Sequence, residues 1–311
     1  MNDLLNETFQ NLTKEQLDYF AFWKKWLYKI IKIPKGNWNT RELKIPTYHL
    51  KILQRSILDK ILFIKEWELI DNVVGFRKWK NIVDNARYHV WKKYLLKIDI
   101  KDFFPSISQD RLYGLFKNLF WFNHEGSNYL AWLCSYSNEL PQGAPTSPML
   151  ANLIARNIDY RIKWLINAYI IRNNKISIDY SRYADDLTFS FNININFSQF
   201  IEYIINIIVA EWFFPNYRKI HLFSSWKLQK ITWVVVNQKI WVWKKYYLKI
   251  KSTFHNIKNN GFSIEMERWN TYNGTKIWNV EKFQEILKWH LSFIRQISPN
   301  YYENLLRYDI F

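Results

Sequence analysis

Two adjacent carboxylates, Asp185 and Asp186, end the stretch Tyr183-Ala184-Asp185-Asp186 at the tip of a short hydrophobic segment, in a chain whose formal net charge is +17. So basic a protein has ample cations for its acids, and an exposed acid pair without one calls for a bound divalent metal. Aspartate is also an ordinary turn residue, so the pair gains meaning from its company. A second acidic segment, Lys97-Ile98-Asp99-Ile100-Lys101-Asp102, lies upstream, and the loop Gln142-Gly143-Ala144-Pro145-Thr146-Ser147-Pro148 falls between the two. Phosphoryl transfer by two metal ions needs carboxylates that bridge cations about 3.5–4 Å apart. Asp99 at one strand end and Asp185 at a neighbouring hairpin tip would supply that bridge, with Asp186 in support. Asp102, three residues beyond the strand end, is the weaker candidate and reads equally as a helix cap or a partner of Lys101. Gly143 allows close approach to the backbone while two prolines fix the loop; read alone, the loop is a helix entrance with Ser147 as N-cap.

The elements that hold these residues follow from periodicity. Residues 14–32 set Phe20, Trp23, Leu27 and Ile30 on one face of an amphipathic helix, 34–40 read as a turn and 41–46 as extended. A helix over 49–64 carries Leu50, Leu53, Ile57, Leu58 and Ile61. The basic loop Gly75-Phe76-Arg77-Lys78-Trp79-Lys80 precedes a helix holding Asn85-Ala86-Arg87-Tyr88-His89. A strand over 94–98 ends at Asp99, and Pro105 and Ser106 open a helix over 109–120. Residues 149–169 form a long helix with Leu150, Ile154, Ile158, Leu165 and Tyr169 on one stripe. Strands over 175–180 and 186–191 make a hairpin around the acid pair. A helix over 197–211, extended runs at 220–223 and 231–236, and a helical tail over 246–259 and 280–307 complete the chain. The mixture predicts an α+β layer, with helices on one face of a mainly antiparallel sheet.

Composition narrows the partners. Hydrophobic residues are 49% of 311, enough for a core, and 44 Lys and Arg against 27 Asp and Glu point to a polyanionic partner. The best apolar run, 201–214, is broken by Glu202, Asn206 and Glu211, so no membrane span is expected. Residues 1–10 lack the basic and apolar regions of a secretion signal. Cys134 is the single cysteine, which excludes an internal disulfide and a thiolate zinc cluster. A cytoplasmic protein is expected. The chain has only 7 Gly and as many as 17 Trp, where average usage would give roughly 22 glycines.

The residues resemble those of reverse transcriptases, specifically the bacterial retron branch. The matching pieces run in the family's order: Asp99-Ile100-Lys101-Asp102-Phe103-Phe104, then Leu140-Pro141-Gln142-Gly143 through Asn152, then Tyr183-Ala184-Asp185-Asp186. Two marks typical of retrons flank them, Asn85-Ala86-Arg87-Tyr88-His89 and a Thr-Gly-like site at Ile231-Thr232-Trp233. The matches span about residues 40 to 295.

The resemblance implies a right-hand polymerase with a mainly antiparallel palm sheet: N-terminal helices and fingers over 1–98, palm with interleaved fingers elements over 99–240, and a helical thumb over 241–311. It implies RNA-directed DNA polymerisation with two Mg2+ ions, or Mn2+, held by Asp99, Asp185 and Asp186, with the Ile100 carbonyl on the nucleotide's metal. Phe104 holds the steric-gate position that rejects a 2′-hydroxyl. Arg77, Lys78 and Lys80 would hold the triphosphate, Gln142 and Gly143 would meet the nucleotide, and Lys219 stands where the family has a lysine that protonates pyrophosphate. Asn85 and His89 would contact structured RNA, although a packed histidine is an equal reading of His89. Lys244, Lys245, Lys249 and Lys251, beside Trp243, Tyr246 and Tyr247, suit a thumb on an RNA-DNA duplex or an ordinary amphipathic helix. The implied partners are a cognate structured non-coding RNA, the RNA-DNA duplex, deoxynucleotides and an effector protein in defence against phage, with the DNA product joined to its RNA. A group II intron-like enzyme, an RNA polymerase of the same metal chemistry and an RNA-binding scaffold without catalysis are the alternatives.

Six tryptophans, Trp38, Trp79, Trp91, Trp212, Trp233 and Trp289, stand where these enzymes carry glycine. Either the indoles are real and strain their loops, or the source reads UGA as glycine and the sequence writes it as tryptophan.

Overall fold

Ile30, Ile31 and Ile33 put three β-branched side chains in a run of seven residues, which favours an extended chain. The helix expected across residues 14–32 is accordingly a helix, α1 (Lys14–Phe22), and a strand, β1 (Tyr28–Pro34), which pairs antiparallel with β2 (Thr40–Pro46) from Tyr28↔Pro46 to Pro34↔Thr40. The computed structural model describes residues 13–22, 26–34 and 40–311; Trp23, Trp38 and residues 1–10 lie outside them.

Next come α2 (Tyr48–Lys60), a 3-10 stretch (Leu62–Glu68), α3 (Ile82–Arg87), β3 (Tyr94–Lys101), α4 (Gln109–Asn118), α5 (His124–Cys134) and α6 (Ser147–Arg172). The hairpin β4 (Ile178–Tyr183) and β5 (Asp186–Phe191) follows, then α7 (Phe197–Ala210) and the short strands β6 (Phe214–Pro215), β7 (His221–Ser224), β8 (Lys230–Ile231), β9 (Val234–Val235) and β10 (Trp241–Val242). Four helices close the chain: α8 (Lys244–Asn260), α9 (Phe262–Asn273), α10 (Val280–Ile297) and α11 (Pro299–Leu306). Helix α9 was not expected, and β4 begins three residues later than the alternation suggested. Helix α4 is capped by Ser108, whose hydroxyl accepts from the Arg111 amide, rather than opened by Pro105 and Ser106.

The chain divides into two compact units that do not follow its linear order. The first joins the residues up to Asn81 with Leu96–Leu222, and the second joins Ile82–Leu95 with Phe223–Phe311. A sheet of order β4-β5-β3-β6 organises the first unit, with β7 also pairing β3. The β4/β5 and β3/β6 pairs are antiparallel, as expected. Helix α6 buries Leu150, Ile158, Ile162 and Ile166; the inward stripe swings from the expected Leu165 and Tyr169 to Ile162 and Ile166. Phe200 of α7 sets its ring edge-on to Phe189 and Phe191 of β5, at 5.4 and 5.3 Å, a favourable aromatic geometry.

The second unit packs α3 and the C-terminal helices around the small antiparallel sheet β10-β9-β8, with Ala86, Val234, Ile250, Phe283, Leu287 and Ile294 at its centre. Five tryptophans in loops have left-handed backbones: Trp79, Trp91, Trp121, Trp212 and Trp233. Trp289 lies in helix α10.

No helix among the described residues is long and apolar enough to cross a membrane. Phe283 is fully buried, with its ring centroid 5.7 Å from that of Trp269. Phe283→Ala is expected to destabilise the second unit by about 3–5 kcal/mol in urea unfolding, whereas Glu267→Ala, on an exposed position of α9, changes it by under about 0.5 kcal/mol.

Candidate active site

Strands β4 and β5 run in register from Ile178↔Phe191 to Tyr183↔Asp186, which leaves Ala184 and Asp185 as the two turn residues. Ala184 takes a φ of 58°, a conformation that costs a residue with a Cβ. Gly75 presses on this turn from outside: a Cβ there would come within 2.6 Å of the Ala184 nitrogen. Only glycine fits so close an approach.

Arg182, two residues before the turn residue Ala184, is fully buried. Its Nε donates to Asp159 Oδ1 at 2.8 Å and its second terminal nitrogen to Asp159 Oδ2 at 2.7 Å, a two-pronged pair with no solvent. The other terminal nitrogen donates to Asn152 Oδ1 at 2.9 Å and to the Ala184 carbonyl at 3.2 Å. The Tyr180 hydroxyl donates to Asp159 as well, at 2.7 Å. On the backbone, Arg182 donates to the Asn72 carbonyl, and its own carbonyl accepts from Val74 and Gly75. Asn152 closes the circuit by donating to the Gly75 carbonyl at 2.8 Å. Helix α6, strand β4 and the segment 72–75 thus converge on the acid turn.

The Asp185 carbonyl accepts from the Ile100 amide at 2.9 Å, which ties the turn to β3 beside Asp99. Asp99 was expected at the end of its strand; β3 continues to Lys101, and Asp99 is buried within it. The Lys219 ammonium donates to Asp99 Oδ1 at 2.8 Å and the Asn216 amide to Oδ2 at 3.2 Å. Asp99 holds the Lys219 ammonium above its ordinary pKa. Burial, then the charges of Asp186 and Asp99, push Asp185 up to about 6. Asp186 is raised too, by burial first, while Lys97 opposes the shift. Among the described residues no three His, Cys, Asp or Glu side chains stand as a ready-made metal cage. The acids are nevertheless short of positive charge: Lys219 is bonded to one of them, and the other two resist ionisation. A cation between Asp99 and Asp185 would relieve that repulsion, so the donor set fits one.

The remaining residues singled out in the sequence are placed as follows. Arg77 pairs with Glu66 at 3.3 Å and donates to the Leu69 and Ile70 carbonyls. Lys78 sits over the Phe63 ring at 3.6 Å, and Lys80 pairs with Asp71 at 3.7 Å. The Phe104 ring lies 5.6 Å from Phe103 and 6.0 Å from Phe76. Gln142 and Asp102 line one cleft of about 170 Å³ with Arg41, Lys44 and Glu139. Gly143 has a φ of 120°, and a Cβ there would meet the Lys44 carbonyl oxygen at 3.1 Å, so its close approach is to β2. Ser147 is not the N-cap of α6; Thr146 holds that place, and the Ser147 hydroxyl donates to the Pro141 carbonyl at 2.7 Å. Asp102 has a φ of 47°, and its carbonyl accepts from the Ser106 amide.

In the second unit Asn85 is buried and reaches the Thr232 hydroxyl at 3.5 Å. His89 is wholly buried, which with nearby Lys92 pushes its pKa down to about 3, so it packs as a neutral ring. Lys244 and Lys245 are exposed at the start of α8, while Lys249 lies over Trp269 and Tyr272 at 4.9 and 4.4 Å. An open cleft of about 630 Å³ in this unit is lined by Trp91, Lys92, Lys93, Trp226, Lys239 and Trp241, among others.

Sequence reasoning passed over Arg182 and Asp159, and gave no site role to Asn152, which ends a matched motif, or to Gly75, which opens the basic loop. A signal existed for three of them. Strand alternation puts Arg182 on one face with Ile178 and Tyr180, and helical spacing sets Asn152 and Asp159 within the buried stripe of α6.

Residues 33–233, well over half of the chain, match the family described as Reverse transcriptase (RNA-dependent DNA polymerase). The chain is similar to the Retron Ec86 reverse transcriptase of Escherichia coli, 34% identical over 53% of this chain and 49% of that one. It is similar to the Retron Mx65 reverse transcriptase of Myxococcus xanthus, 26% identical over 90% of this chain and 64% of the relative. It therefore spans about half the length of the first relative and under two thirds of the second. Among solved structures it is similar to telomerase from Candida albicans in complex with a TWJ fragment of telomeric RNA, 13% identical with a TM-score of 0.48 over 89% of this chain and 60% of that one.

Two measurements check the electrostatics. Asp159→Ala leaves the Arg182 charge buried and unanswered, and is expected to cost about 3–5 kcal/mol of stability. A carboxyl whose pKa rises on folding contributes stability that is full below its unfolded value of 3.8 and is lost as pH climbs through about 6. The metal-free chain should therefore lose roughly 1–3 kcal/mol relative to Asp185→Asn between pH 4 and pH 7, read from paired urea titrations.

Proposed function

The chain belongs to the reverse transcriptase family, and we propose that it is the RNA-directed DNA polymerase of a retron, copying a cognate structured RNA into single-stranded DNA that stays joined to it. The observation that carries the reading is the Ile100 amide bonded to the Asp185 carbonyl, which sets Asp99 and the Asp185-Asp186 turn side by side on adjacent strands.

Asp99 and Asp185, backed by Asp186 and the Ile100 carbonyl, are the residues to hold a pair of divalent cations, Mg2+ or Mn2+. Such ions, when bound, lower the pKa of the priming hydroxyl and neutralise the triphosphate. The residues of the chain do the rest. Lys219, whose ammonium is bonded to Asp99 and whose side chain is 58% exposed, would be the proton donor for the leaving pyrophosphate. Phe104, held against Phe103 and Phe76, is the wall under the sugar that turns away ribonucleotides. Arg77 grips a triphosphate by exchanging Glu66 for phosphate oxygens, with Lys78 and Lys80 adding charge. Gln142 and Gly143 meet the nucleotide from the loop before α6.

The polyanionic partner that a charge of +17 calls for is the RNA and the growing RNA-DNA duplex. Lys244, Lys245 and Lys249, with the aromatic and basic cleft of the second unit, give it phosphate contacts and stacking faces; Asn85 shapes the neighbouring Thr232 turn. A cytoplasmic setting, an effector protein and a role against phage go with the retron assignment.

Primer extension on an RNA template is the test. Wild-type protein should incorporate deoxynucleotides in the presence of Mg2+, and Asp185→Asn should lower the rate at least about 100-fold. Phe104→Ala should admit ribonucleotides. Template binding without extension by the wild type would point instead to a scaffold, and equal use of both nucleotide types to an RNA polymerase.

A further inference from the structure

Among the described residues tryptophan occupies five left-handed backbone positions and glycine three. Positive φ is uncommon for any residue with a Cβ and rarer still for a bulky one. These five are not scattered strain. Three sit at positions of recognisable turns where the backbone itself demands glycine.

Thr232 and Trp233 are the two-residue loop of the β8/β9 hairpin, between the paired residues Ile231 and Val234. Both have positive φ, 43° and 74°, the mark of a type I′ turn, whose second place belongs above all to glycine. Trp212 follows α7. Its amide donates to the Val209 carbonyl while the Phe213 amide reaches back to Ile208, and its φ is 60°. That bond pair is a Schellman motif, and Trp212 fills the position that glycine ordinarily takes. Trp79 is the third residue of the turn closed by the Lys80 amide on the Arg77 carbonyl. Its φ is 66° while Lys78 has none of the left-handed character, the pattern of a type II turn with glycine in third place. Trp91, at 61°, lies in the turn after α3, and Trp121, at 54°, in the loop after α4.

Little returns the strain, because the indoles are mostly exposed and their contacts are slight, such as Lys65 over Trp121 at 4.8 Å and Lys230 over Trp233 at 6.0 Å. They are exposed by 97% at Trp79, 79% at Trp212, 74% at Trp91, 73% at Trp233 and 66% at Trp121. By contrast Trp269, at 9%, is packed beside Phe283 and under Lys249 with an ordinary helical backbone. Two populations of tryptophan share one letter, and the first of them stands where glycine belongs in a sequence short of glycine.

We propose that the functional protein carries glycine at positions 79, 91, 121, 212 and 233. The codon UGA lies one base from a glycine codon and one from the tryptophan codon, so a cell that decodes UGA as glycine makes a chain which another code renders with tryptophan. The inference stands apart from the polymerase reading, since it rests on backbone geometry and exposure alone. It also reshapes a surface: Trp91 walls the 630 Å³ cleft of the second unit, and glycine there opens it further.

Two experiments test it. In peptides of the protein isolated from its native cells, mass spectrometry should find glycine at the five positions and tryptophan at 269; tryptophan at the five overturns the proposal. In a standard host, the chain carrying Trp79→Gly, Trp91→Gly, Trp121→Gly, Trp212→Gly and Trp233→Gly should melt at a higher temperature than the tryptophan form, or fold where that form does not. A midpoint equal to or below that of the tryptophan chain counts against it. Trp269→Gly should lower the midpoint in either background, which separates relief of backbone strain from a general effect of removing indoles.

Discussion

A guanidinium sealed from solvent has to be answered by its neighbours, and Arg182 is answered on every side. Asp159 takes two of its donors, Asn152 and the Ala184 carbonyl take the third nitrogen, and the peptide groups of residues 72–75 bracket its backbone. These partners lie on helix α6, on the hairpin itself and in the segment 72–75, so the network ties a helix, a hairpin and a loop together. Such buried pairs add little net stability over an apolar core but penalise every arrangement that leaves one charge alone. The outcome is a turn that carries two acids and cannot drift.

Around that fixed turn the charges are arranged to be unsatisfied. A strongly basic chain could have covered its acids with lysine, yet of these three only Asp99 receives a close ammonium; Asp185 is pushed toward the neutral form by burial and by Asp186 and Asp99, and Asp186 by burial and by Asp99. The rigid network and the strained acids are two sides of one construction: a loose turn would let the carboxylates swing apart and lose their repulsion. Lys219 reaches the buried acid from a mostly exposed position.

Much of this was legible in the sequence where local pattern and long-range packing agree. The β4/β5 hairpin was, because alternation and a short polar tip specify it, and so was α6, a helix of 26 residues with a long apolar stripe. The stripe was read one step off because Leu165 is as apolar as Ile162, and only packing against the sheet chooses between them. β1 was mistaken for helix since aromatic and basic residues upstream set a helical rhythm that the isoleucines then break. That Glu66 and the Leu69 and Ile70 carbonyls hold Arg77 in this structure is a matter of tertiary contact no spacing encodes. Arg182 went unread since arginine is usually a surface residue, although its place in the strand pointed inward.

The discontinuity of the second unit bears on how the chain is made. Residues 82–95 leave the ribosome well before Phe223–Phe311, the partners that complete their core. Val83, Ala86 and Leu95 thus wait, uncovered, while the intervening stretch Leu96–Leu222 is synthesised and closed into a loop. Chaperone demand and the danger of premature aggregation should be concentrated in that interval, and a pause in translation near residue 222 would prolong it.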